Sequence, residues 1–145
     1  MKTSALAALL LTVVLASGCS STQSMVGTGG DRSAATMFPL TTEQADRILA
    51  TAMAREFAGS PVSRVEFPNK GYQATFRFAL DSHTIVAYMI SAKGKGPNGA
   101  MLDGYYFEVS NSGTMPLSGG KRAGKVYESL IRDASMVSQP LPLSF

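Results

Sequence analysis

Between residues 72 and 81 the chain alternates. Tyr72, Ala74, Phe76, Phe78 and Leu80 fall on one side of an extended backbone, and Gln73, Thr75, Arg77 and Asp81 fall on the other. A period of two residues with one apolar and one polar side marks a strand whose sheet has one covered face and one wet face. The covered face needs a second apolar layer, and that requirement constrains the rest of the chain.

Two stretches can supply the layer. Thr41 with Gln44 three residues on fits a helix-starting capping box, and Glu43 suits the positive end of the helix. Ala45, Ile48, Leu49, Ala52, Met53 and Phe57 recur at helical spacing until Gly59, Ser60 and Pro61 stop the run. A second stripe comprises Ala123, Val126, Tyr127, Leu130, Ile131 and Ala134, with Glu128 and Arg132 as an i,i+4 pair beside it. Three more strands are expected: residues 62–67, residues 84–92 and residues 104–110. The second of these is apolar on both faces, as a central strand would be, and the third has Tyr105, Phe107 and Val109 on one face. Asp81 and Ser82 are expected to form a tight turn, and residues 93–99 and 111–120 to be loops. The expected order is helix, four strands, helix. The fold class is α+β, a two-layer sandwich with a four-stranded, mainly antiparallel sheet, because the links between strands are short. The tail, residues 138–145, holds Pro140 and Pro142 and is expected to be extended.

The N-terminus carries a different signal. Lys2 precedes an apolar run over residues 5–16, interrupted only by Thr12, which is too short for a membrane span of about 20 residues. Ala16, Ser17 and Gly18 then lead to Cys19, the single cysteine. Leu15-Ala16-Ser17-Gly18-Cys19 resembles the lipobox of bacterial lipoproteins, and the resemblance covers residues 1–19. It implies cleavage after Gly18, a diacylglyceryl thioether on Cys19 and acylation of the new amino group. Leu is more usual at the position held by Ala16. Ser20, rather than Asp, in second place of the mature chain implies the outer membrane. Residues 1–18 are therefore expected to be a signal peptide, residues 19–37 the lipidated cysteine with a Gly/Ser-rich tether, and residues 38–145 one globular domain.

Charge and chemistry narrow the function. The formal net charge is +3, which falls by one with the loss of Lys2, so nucleic acid is not an expected partner. One cysteine, taken by lipid, and one histidine, His83, leave no expected metal site and no disulfide. The 94–99 segment, Gly-Lys-Gly-Pro-Asn-Gly, matches the spacing of a dinucleotide loop, but Pro97 interrupts it and a strand follows, so a hairpin loop is expected. Gly119 to Lys125 matches most of a phosphate loop, yet Val126 stands where the magnesium-binding hydroxyl would be, so no nucleotide is expected. Asp81, Ser82 and His83 are triad residue types, but adjacency in a turn is not the spatial convergence a triad needs. Asp103 and Glu108 fall on opposite strand faces.

The expectation is thus a membrane-anchored envelope lipoprotein whose small domain binds without catalysis and needs no cofactor. Its partner would be another envelope protein or an anionic envelope component. The alternatives are an envelope hydrolase acting on peptidoglycan or lipid, and a carrier of a small apolar ligand. Lys93 and Lys95 before the last strand, and Lys121, Arg122 and Lys125 after it, form a candidate anion-binding surface if the connection brings the two groups together.

Overall fold

The computed structural model describes residues 21–25, 36–78, 81–113 and 116–144. Gly18, Cys19, the signal segment, Leu80 and Phe145 lie outside the described residues. The elements run in the order β1 (Ser21–Met25), β2 (Thr36–Met37), α1 (Thr42–Glu56), β3 (Val62–Val65), β4 (Gly71–Phe78), β5 (Asp81–Lys95), β6 (Met101–Gly113), α2 (Pro116–Val137) and β7 (Leu141–Ser144). The fold is α+β, with both helices on one face of an antiparallel sheet. Among the described residues, no helix is long and apolar enough to cross a membrane.

The first helix forms as its sequence dictates. Thr41 is the N-cap, its hydroxyl accepts from the Gln44 amide, and the Gln44 side chain returns the bond to the Thr41 N–H. Losing such a cap typically costs about 1 kcal/mol. Ala45, Leu49, Ala52 and Met53 are fully buried against the sheet, and Phe57 closes the stripe. Gly59, at φ 85, turns the chain where a side chain would be strained. The alternation from residue 72 is also realised: Ala74 is buried, Tyr72 and Phe76 pack on the core, and Gln73, Thr75 and Arg77 are exposed.

The sheet is larger than the four strands expected, and the element order differs. Its main run is β1-β6-β5-β4-β3, and β7 adds a sixth strand beside the far end of β5, where Lys93 faces Ser144. The two-residue β2 pairs in turn with β7. Asp81 and Ser82 are already in β5, opposite Phe78 and Arg77, rather than in a turn. The expected loop at residues 93–99 shrinks to the hairpin between β5 and β6, where Gly96 N–H donates to the Ala100 carbonyl. The expected loop at residues 111–120 is strand through Gly113 and helix from Pro116. Ser21–Met25, inside the stretch read as tether, pairs with β6 from Gly113 to Val109. These additions escape sequence patterning for one reason. Short strands are held by main-chain bonds, which Ser-Thr-Gln-Ser-Met supplies without apolar alternation, and the four residues of β7, with Pro142 opposite Thr36 of β2, are too few to show a period.

One end of the sheet closes on itself. β5 pairs with β6, the chain just past β2 pairs with β6 through Phe38 and Tyr105, β2 pairs with β7, and β7 pairs with β5. The interior of this four-strand ring is filled by Met37, which is fully buried. Two strand glycines make room for it. A Cβ on Gly94 would lie 2.6 Å from the Met37 sulfur, and one on Gly104 would lie 2.7 Å from its terminal methyl and closer still to the Phe38 carbonyl oxygen.

Met37→Ala should therefore lower unfolding free energy by about 2–4 kcal/mol in a denaturant titration. Gly104→Ala should be at least as damaging, because the contact it meets is backbone. A chain trimmed to begin at residue 38 should be less stable than one beginning at residue 20. Equal denaturation midpoints would show that Met37 does not hold the ring.

Candidate functional site

Beside the ring lies a groove, over the C-terminal half of β5. One chamber, of about 350 Å³, is lined by Thr42, Pro68, Asn69, Lys70, Met89 and Ser91 among others. A second, of about 420 Å³, is lined by Leu40, Thr41, Ala92, Asp103 and Gly104. Thr42, Ser91 and Tyr105 line both. The divide between them is a hydrogen bond of 2.7 Å joining the Tyr105 hydroxyl to the Thr42 hydroxyl at the start of α1. Both volumes fall in the range of about 300–1,000 Å³ that holds small ligands.

Each wall has a local cause. Tyr105 is held from behind, because its main-chain N–H and C=O exchange bonds of 2.9 and 2.8 Å with Phe38. The segment 66–70 is fastened to α1 through Tyr72, Arg64 and Asp46. The Tyr72 hydroxyl donates to Asp46 at 3.2 Å, and Arg64 reaches Glu66 at 2.6 Å and Asp46 at 3.6 Å. The Glu66 hydrogen bond, followed by the charge of Asp46, raises the Arg64 pKa above its ordinary value. Burial, then the negative charge of Asp46, raises the Tyr72 phenol above 10.0.

The groove holds two carboxylates, one in each chamber. Glu66 is 61% exposed and bound by Arg64; Asp103 is 84% exposed and bound by Lys93 at 2.9 Å. At the opposite end of the sheet, His83 is fully buried, with Nε2 3.2 Å from Asp81 and its ring stacked on Phe76. Ser82 is exposed and donates its backbone N–H to Asp81. Among the described residues, no group of three His, Cys, Asp or Glu side chains could hold a metal.

The five candidate cations are placed as two groups. Lys93 and Lys95 are in β5 near the hairpin, and Lys93 is opposite Asp103 in the ladder. Lys121, Arg122 and Lys125 lie within α2, which starts at Pro116, so the glycine-rich basic segment is helix and not a cradling loop. Arg122 sits over Phe57 and Phe76 and donates to the Glu56 carbonyl at the end of α1. Phe76 faces His83 in the ladder. The ten residue steps along β5 from His83 to Lys93 put the two groups about 30 Å apart. Arg132 turns to Asp133 and Ser129, not to Glu128.

Sequence reasoning missed Thr42, Asn69, Lys70, Ser91 and Tyr105 as site residues. The available signal was Ser91, the one polar residue in the apolar run from Ile85 to Ala92. No protein-family model, no curated protein and no solved structure matches the chain.

Arg122→Gln should cost about 1–3 kcal/mol, because it removes a bond to a helix-end carbonyl and two ring contacts. Lys121→Gln and Lys125→Gln should leave the thermal midpoint nearly unchanged. Calorimetry of the three single variants checks this, and equal midpoints would mean that Arg122 is a surface cation like its neighbours. Tyr72 binds its proton more tightly in the folded state, so its stabilising effect is complete below about pH 10 and declines as pH rises through the folded value. Tyr72→Phe should flatten the fall of melting temperature above pH 10. An unchanged alkaline slope would assign that fall to other groups.

Proposed function

We propose that this chain is a lipid-anchored lipoprotein of the bacterial cell envelope, held through Cys19, whose folded domain binds a partner without catalysis in the groove around Ser91 and Tyr105. The observation that supports binding over catalysis is the state of the groove's carboxylates. A glycosidase-type hydrolase needs two carboxyl groups converging on one bond at about 5–9.5 Å. Glu66 and Asp103 line different chambers, are exposed, and are each held by a cation of their own. What faces the groove instead is a set of hydroxyls, an amide and one lysine, which orient a ligand by hydrogen bonds. The carrier reading needs apolar space between helices and sheet, where Phe38, Leu49, Phe107, Val126 and Leu130 are packed into one core.

The anchor rests on the lipobox-like residues 15–19, and Ser20 in second place favours the outer membrane facing the periplasm. The partner is an envelope protein or an anionic envelope component.

Two measurements test this. Cys19→Ser should abolish incorporation of a fatty-acid analogue and either release the chain from the membrane fraction or leave it as uncleaved precursor; labelling that persists would remove the anchor. In that unlipidated chain, Thr42→Ala with Lys70→Ala should weaken retention on washed envelopes about fivefold or more, while costing no more than about 1 kcal/mol of stability for the lost Tyr105 bond. Undiminished retention would exclude the groove as the binding site.

A further inference from the structure

The groove contains a break in the sheet. On the side of β5 away from β6, β4 pairs up to Tyr88, opposite Gly71, and the Met89 N–H reaches the Lys70 carbonyl at 3.0 Å. Pairing resumes only at Lys93, opposite Ser144 of β7. Residues 90–92 therefore have no strand beside them among the described residues. In an antiparallel ladder, main-chain groups of successive residues point to alternate sides. Tyr105 gives both of its groups to Phe38, so the facing residue, Ser91, directs its own N–H and C=O away from β6 and into the break. Met89, two residues earlier, points the same way. Ser91 is exposed and lines both chambers. The result is one donor and one acceptor at β-ladder spacing, at the floor of a groove, in a stretch of β5 three residues or about 10 Å long.

We infer that this break binds a short oligopeptide as an inserted β-segment, its central residue exchanging both main-chain bonds with Ser91. The inference rests on the groove being a binding site and names the chemistry of its ligand. An amide backbone is the group that satisfies a strand's paired donor and acceptor together. β4 and β7 flank the break and both run antiparallel to β5. A peptide continuing their line runs antiparallel as well, which brings its C-terminal end to Asn69 and Lys70. A free carboxylate there meets a cation. The closed ends of the break select short peptides over long segments. Free oligopeptides and the peptide stems of a cell wall share this chemistry.

The test is titration of the full chain in detergent with N-acetyl-tri-alanine, followed by amide NMR. Saturable shifts should centre on Ser91, Met89 and Asn69. The same peptide N-methylated at its central residue should bind about tenfold more weakly, because it cannot donate to the Ser91 carbonyl. Lys70→Gln should weaken the free-acid peptide several-fold and leave its C-terminal amide unaffected. A wall-derived stem peptide still attached to its sugar that binds more tightly than the free peptide names the wall as the source, and one that binds no more tightly names free oligopeptides. No saturable binding at millimolar peptide, or equal affinity for the N-methylated form, overturns the inference. Should envelope retention still depend on Thr42 and Lys70 in that event, the groove remains the site and its ligand is not a peptide.

Discussion

The main-chain exchange between Phe38 and Tyr105 is the point on which the architecture turns. Before it, the chain lies in β2 on the face of the sheet away from the helices, with Met37 filling the ring between Gly94 and Gly104. After it, the chain enters the helical side, where Phe38 meets Phe107 and α1 begins. One pair of hydrogen bonds thus carries the backbone around the outer edge of β6. It also fixes which way Ser91 directs its polar groups, because the ladder cannot change phase between facing residues. The ring, the helical layer and the groove share that one register.

Side-chain periodicity made part of this legible and hid the rest. The capping box at Thr41, the stripe from Ala45 to Met53 and the alternation from Tyr72 are local patterns with local causes, and each forms as written. β1, β2 and β7 are not local. They exist because β5 and β6 run longer than their apolar runs, and their ends offer main-chain groups that must be paired. No side-chain pattern encodes such a demand. The groove was hidden for a related reason: its residues come from a cap, a turn and two strand ends, and only Ser91 stood out against its neighbours.

The basic residues show the same gap between composition and role. Arg122 reads as one of three surface cations, yet its guanidinium lies on Phe57 and Phe76 and satisfies a carbonyl at the end of α1. Its task is to join the two helices at the end of the sheet where His83 is buried. Lys93 is matched across the ladder by Asp103. Sequence counts these as available charge; the fold has already used much of it.

The position of β1 changes the picture of how such a domain would stand on a bilayer. Its first paired residue, Ser21, is two residues after Cys19, a span of no more than about 7 Å. A lipid at Cys19 would then leave almost no leash. The molecule would be a post set in the membrane, planted by the end of β6 at Gly113, with the exposed lysines of α2 low on its flank near the headgroups. The groove, at the other end of β5, would open about 30 Å above the lipid, at a height fixed by strand length. Such a post would hold the groove at a nearly constant distance from the bilayer, as a free-floating domain could not.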